Sequence, residues 1–178
     1  MLGAIVGDFV GSIYEHRGIK HAAYPASGWG GRFYQWASAD RRSPYRSFGN
    51  GAAMRVSPVG WAFATLEETL AAAAESAAVT HNHPEGIKGA QATAAAIYLA
   101  RATGDKAVIR REVARRFADE RNAVSLGGDA DTLACIAGGV AHAYYGHVPE
   151  GLAVPALASL PEPLQPVWDE FRSRYAVS

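Results

Sequence analysis

The stretch GGDADTLACIAGGVAHAYY, residues 127–145, sets two carboxylates and a hydroxyl directly ahead of a long run of small apolar residues. Leu133, Ala134, Cys135, Ile136, Ala137, Gly138, Gly139, Val140, Ala141 and Ala143 leave no polar face, which predicts a helix buried on all sides rather than an amphipathic one. A buried helix holds its first turn rigidly. Asp129, Asp131 and Thr132 would then bring several oxygen ligands into one small volume, a set that suits a hard divalent ion such as magnesium, manganese or calcium better than zinc. The same residues also serve as an ordinary helix start, where each carboxylate gains roughly 0.3–1 kcal/mol from exposed N–H groups and the helix dipole.

Outward from this run, most of the chain reads as helix. Leu2 to Ile13 carries Ile5, Val6, Phe9, Val10 and Ile13, with Gly3, Gly7 and Gly11 on the remaining surface. That pattern permits very close helix contact, although glycine costs about 1 kcal/mol per position against alanine. Thr65 and Glu68 form a capping box that predicts a helix over about 66–79. Pro84 starts the next helix, in which Ile87, Ala90, Gln91, Ala94, Ile97 and Tyr98 recur at helical spacing until Gly104 closes it. Asp105 caps a charged amphipathic helix with Val108, Ile109, Val113 and Phe117 inward. Gly28 to Tyr45 reads as a long loop with a turn or two of helix around Arg32 to Ala37. Pro161, Pro163 and Pro166 delay the last helix to Val167, with Trp168 and Phe171 as its anchors. Strand signals are nearly absent, and there is no internal repeat or low-complexity linker. Residues 1–178 are therefore expected to form a single all-α domain, a compact orthogonal helical bundle.

At 178 residues the chain is long enough to bury a core. Its charges cancel, 17 against 17, and the arginines are spread among acids, so no nucleic-acid partner is expected. The single cysteine, Cys135, excludes an internal disulfide and a cysteine-based zinc site by count. Asp8 interrupts the apolar N-terminal stretch, and the run at 133–143 is too short to span a bilayer. A soluble, cytoplasmic protein with no membrane partner is the expectation.

Four polar clusters interrupt the helical background, each at a helix end. They are Gly7-Asp8 through Tyr14-Glu15; Ser47-Phe48-Gly49-Asn50-Gly51 with Met54-Arg55; Thr80-His81-Asn82-His83-Pro84-Glu85-Gly86; and Gly127 through Thr132. In the wording and order of GAIVGDFVGSIYE, PYRSFGNGAAMRVSPVGWAF, VTHNHPEGIKGAQATAAAIYLA and SLGGDADTLACIAGGVAHAYYG, the chain resembles the ADP-ribosylglycohydrolase family, whose type members remove ADP-ribose from proteins.

The resemblance implies roles for particular residues. Asp129, Asp131 and Thr132 would ligate magnesium or manganese, with Asp129 also at the catalytic centre. Glu15 would lie near the scissile ribose as a gate or acid/base group. Gly49, Asn50 and Gly51 would hold the phosphates or ribose through backbone N–H groups at a helix start. His81, His83 and Gly86 would line the nucleotide pocket, and the partner would be ADP-ribose or an ADP-ribosylated protein. Read from the residues alone, Glu15 is a solvated carboxylate at a helix end. Gly49-Asn50-Gly51 is then a tight turn in which Asn and Gly tolerate positive φ. His81 and His83 become capping or surface histidines, and Arg55 pairs with a carboxylate or a phosphate.

The chain also departs from the family pattern. The T-D-D element that supplies the other half of a binuclear metal site is missing after Ile19-Lys20, and no Asp-Asp pair occurs anywhere in the sequence. A second gap falls near Phe117 to Glu120. Asp129, Asp131 and Thr132 give about three of the six oxygens an octahedral ion needs, which supports one weakly held ion rather than a tight pair. A bundle with helices missing should leave apolar faces for a partner subunit or a rearrangement to cover, so a homo-oligomer is one expectation. Two functions compete. One is metal-assisted hydrolysis of the glycosidic bond between ADP-ribose and a protein side chain, impaired by the lost ligands; the other is a non-catalytic ADP-ribose-binding or structural, oligomeric remnant of the family.

Overall fold

A computed structural model of the chain describes residue 3, residues 31–117 and residues 130–175. Glu15, Asp8, Asp129 and all of the helix expected over 2–13 except Gly3 lie outside these residues. Among the described residues every regular element is helical. They are α1 (Gly31–Ser38), α2 (Gly51–Arg55), α3 (Val59–Ala62), α4 (Leu66–Ala78), α5 (Pro84–Thr103), α6 (Lys106–Phe117), α7 (Ala130–Tyr145), α8 (Glu150–Ala158) and α9 (Gln165–Tyr175), with a 3-10 turn at Glu162–Leu164. The all-α bundle expected from the sequence is the fold.

Local chemistry sets the helix ends. At α4, Thr65 Oγ1 accepts from Glu68 N at 3.2 Å while Glu68 Oε2 accepts from Thr65 N at 3.1 Å, closing the capping box read from the sequence. α5 carries Pro84 in its first turn, where a missing N–H costs nothing, and ends on Gly104 at φ 59°. Asp105 Oδ1 accepts from Ala107 N and Val108 N at the start of α6. α9 begins at Gln165, two residues earlier than the prolines suggested, because Pro166 sits in the first turn of the helix and needs no hydrogen bond there. Trp168 is buried, as its anchoring role required.

Among the described residues the most buried helix is α5, and this corrects the expectation for Leu133–Tyr145. α5 contributes Ala90 and Ala94 to one core cluster with Ala52, Val56, Ala73 and Ala77, and Ile97 and Ala100 to another with Trp61, Ala143, Ala156 and Trp168. It is contacted by α2, α3, α4, α6 and α7, and its exposed residues are confined to its two ends, Pro84 and Glu85 and Arg101 to Thr103. α7 packs on α5 and α2 through Cys135, Gly139, His142 and Ala143, yet Ala137 and Ala141 remain exposed. An apolar sequence on every face therefore marks a helix that could be buried all round; here one stripe of it is open. The inward face of α6 is likewise only half-buried, at Val108, Ile109, Val113 and Phe117.

Close approach at α7 is made by glycine. Gly3 is helical, and a Cβ there would run into Gly138 O and His142 Cβ; its N–H donates to His142 Nδ1 at 3.2 Å. The small-residue pattern of the N-terminal segment thus has its packing reason at the one position described.

Candidate functional site

The N-terminal end of α5 and the loop leading into α2 are stitched together by the backbone. Tyr45 N and Ser47 N both donate to Thr80 O at 3.4 Å, and Arg46 N donates to Asn82 Oδ1 at 2.8 Å. Between the two bonds to Thr80, Arg46 takes the left-handed conformation, φ 53°, an arrangement that costs a non-glycine residue on the order of 1–3 kcal/mol and is held by the surrounding bonds. Gly86 lies under this crossing. A Cβ at Gly86 would stand 2.7 Å from Ser47 O and 3.1 Å from His81 Cβ, so the strand of loop can cross α5 only over glycine.

The loop delivers Gly49-Asn50-Gly51 to the start of α2. None of the three adopts a positive φ, so this is a helix entry rather than the tight turn that the residues alone allow. Asn50 is the N-cap residue at φ −81° and ψ −3°, and its side chain makes no capping bond. Gly51 faces His81, whose Cε1 and Nε2 would each lie 3.4 Å from a Cβ placed there.

His81 is 6% exposed and belongs to a polar relay. Arg55 Nη2 donates to Thr80 Oγ1 at 2.8 Å, and Thr80 Oγ1 stands 2.7 Å from His81 Nδ1. Arginine can only donate, so Thr80 Oγ1 accepts from Arg55, and its remaining lone pair and its own proton allow it to pair with His81 Nδ1 in either tautomer of the ring. Burial and, second, the Arg55 charge push the His81 pKa down to about 4, which keeps the ring neutral at pH 7. The same guanidinium donates to Ser76 O at 3.1 Å and Ala77 O at 3.4 Å, closing the carbonyl end of α4. Among the described residues no carboxylate pairs with Arg55. Its desolvation lowers its own pKa as well.

His83 has a different part. Its Nδ1 accepts from Glu85 N at 3.2 Å, which makes it the N-cap of α5, and the exposed Phe48 ring lies 5.6 Å from it. His83 is a cap on the flank of the site, while His81 is built into it.

The helix carrying the second half of the expected site meets α2 at Met54. α7 begins at Ala130, which places Asp131 and Thr132 in its first turn as the sequence requires. Thr132 is buried at 2% exposure, with Oγ1 3.7 Å from Met54 Sδ, and Cys135 Sγ lies 3.5 Å from Met54 O. Met54 follows Gly51 by three residues, so the glycine entry and the D-x-D-T helix end share one neighbour. Among the described residues no three His, Cys, Asp or Glu side chains gather as a metal site. In the sequence the D-x-D-T residues carry two carboxylates and a hydroxyl, hard oxygen donors of the kind magnesium and manganese take.

Residues 16–121 match the family model of ADP-ribosylglycohydrolase. The chain belongs to the ADP-ribosylglycohydrolase family. No curated protein and no solved structure matches it. The matched span contains Gly49, Asn50, Gly51, His81, His83 and Gly86; Glu15 precedes it, and Asp129, Asp131 and Thr132 follow it. Among the described residues no helix is long and apolar enough to cross a membrane.

Sequence reasoning singled out His81 and Arg55 but missed the relay that joins them. Thr80 was the available signal: a hydroxyl directly before the histidine and one residue past the expected end of α4.

Proposed function

We propose that this ADP-ribosylglycohydrolase-family chain holds the ADP-ribose moiety of a modified protein between Gly49-Asn50-Gly51 and His81. On this reading it cleaves the glycosidic bond to the protein side chain at a rate impaired by the missing T-D-D element. The observation that carries the proposal is the Arg55–Thr80–His81 relay. It holds a neutral imidazole beside Gly51 with a cation two hydrogen bonds behind it, and with Thr80 donating to Nδ1 the proton on Nε2 would suit a ribose hydroxyl or a phosphate oxygen. Asn50 adds an amide not consumed by capping. Gly86 lets the loop lie close enough to hold these groups in one place, and preorganisation of this kind lowers the ordering cost of binding.

Asp129, Asp131 and Thr132 would hold magnesium or manganese, which when bound orients ribose hydroxyls and water and stabilises developing charge. Glu15 is the proposed acid/base group. A second reading, binding of ADP-ribose without turnover, is favoured by the absence of any Asp-Asp pair from the sequence. Release of free ADP-ribose from an ADP-ribosylated protein at saturating magnesium or manganese separates the two. Turnover at least about a thousandfold below that of a family member with the T-D-D element supports the impaired enzyme, a shortfall of about 4 kcal/mol in transition-state stabilisation. No release at all supports the binder, and turnover equal to the full member would show that other groups replace the lost ligands.

A further inference from the structure

The open stripe of α7 is one wall of a groove whose other wall is α6. The groove has a volume of about 480 Å³, within the range of small-ligand pockets, and shares no residue with the Gly49–Gly51 and His81 site. Ile109, Ala137, Val140, Ala141 and Tyr144 make its surface almost wholly apolar. Lys106 and Arg110, one helical turn apart, complete the α6 wall.

Among the described residues, cations outnumber acids along α6. Residues 106–117 hold Lys106, Arg110, Arg111, Arg115 and Arg116 against one acid, Glu112. Glu112 is taken: Arg115 Nη2 lies 2.8 Å from its Oε2, Arg116 Nε 3.8 Å from the same oxygen, and Arg111 Nε 3.7 Å from Oε1. Lys106 has aromatic company only, with its Nζ 4.8 Å from the Tyr144 ring centroid and 3.4 Å from Tyr145 Oη. Arg110 has no ion-pair partner among the described residues. Two cations therefore border an apolar slot of small-molecule size.

We infer that this groove binds a single-chain amphiphilic anion, a free aliphatic carboxylate whose tail lies along Ala137, Val140 and Ala141 and whose head meets Lys106 and Arg110. The charge complementarity selects an anion, and the apolar walls select an alkyl tail. Each buried methylene should tighten binding about fourfold, the factor that corresponds to 0.8 kcal/mol.

Calorimetric titration of the full chain with octanoate, decanoate and dodecanoate below their micellar concentrations tests this, beside dodecyltrimethylammonium and anionic phospholipid vesicles. The expected result is one carboxylate per chain, a rise of about fifteenfold in affinity for each two methylenes, and no binding of the cationic amphiphile. The exposed double variant Lys106→Glu, Arg110→Glu should lose carboxylate binding while its circular dichroism stays unchanged, and Ala141→Trp should lose it by filling the slot. Equal binding of the cationic amphiphile would overturn the inference, as would vesicle binding without carboxylate binding. A wild-type dimer that Ala141→Arg converts to monomer would also overturn it, since a second copy would then be the occupant.

Discussion

The hydroxyl of Thr80 stands 2.7 Å from His81 Nδ1, and that contact turns Nε2, the other ring nitrogen, towards Gly51. A histidine immersed in water alternates between tautomers and charges near pH 6.5. Buried behind Thr80 and Arg55, this one stays neutral at pH 7.

The pH dependence of folding should carry its mark. With the pKa pushed down to about 4 from an ordinary 6.5, the unfolded ring takes up a proton that the folded ring refuses. The contribution is intact above pH 6.5, is lost progressively as pH falls from 6.5 towards 4, and changes no further below that. His81→Gln should flatten this part of the stability curve in denaturant titrations. A curve of unchanged slope between those limits would remove the relay from the account.

Arg55→Gln should act twice. Loss of the charged hydrogen bonds to Ser76 O and Thr80 Oγ1 is expected to destabilise the fold by about 1.5–3 kcal/mol. Removing the cation should also raise the His81 pKa, because the Arg55 charge is its second cause of depression. NMR titration of the His81 ring reads the second effect independently of the first.

Two glycines of α5 make a matched pair. Gly86→Ala would force a Cβ to within 2.7 Å of Ser47 O, and a cost of about 1–3 kcal/mol is expected, with weakened ADP-ribose binding. Gly89→Ala meets nothing within 4 Å and should stabilise the helix by up to about 1 kcal/mol. Chemical denaturation of both variants checks the contrast in sign.

A divalent ion, if held at the start of α7, should raise the melting temperature by binding the folded state. Asp129→Ala is expected to abolish the shift produced by magnesium or manganese, since it removes one of about three protein ligands. An unchanged shift would reduce Asp129 to a helix cap.

Much of the fold could be read from short-range chemistry. Thr65 with Glu68, Pro84, Gly104 and Asp105 each announce a helix boundary through one or two residues, and each stands where the sequence placed it. The burial of α7 could not be read this way. An all-apolar run says only that no face needs water, and whether Ala137 and Ala141 meet a neighbour depends on where α6 lies. The same distinction divides the candidate site. Gly49-Asn50-Gly51 and His81 were legible as motifs, but the Arg55 bonds to Ser76 and Thr80 join residues more than twenty positions apart. No local pattern reports such a pairing. Gly86 was visible as a motif member, and its physical reason, the Ser47 carbonyl crossing above it, appears only in three dimensions.

The central claim is that the Gly49–Gly51 entry and His81 form an ADP-ribose site that outlasts the loss of metal ligands. Calorimetric titration of ADP-ribose into the wild-type chain and His81→Ala, each with and without magnesium or manganese, tests it most directly. The account predicts saturable one-to-one binding by the wild type even without the metal, tighter with it, and a loss of about tenfold or more in affinity in His81→Ala, the 1.4 kcal/mol or so of one charge-reinforced hydrogen bond. No binding to the wild type under either condition, or equal affinity in the folded variant, would contradict it.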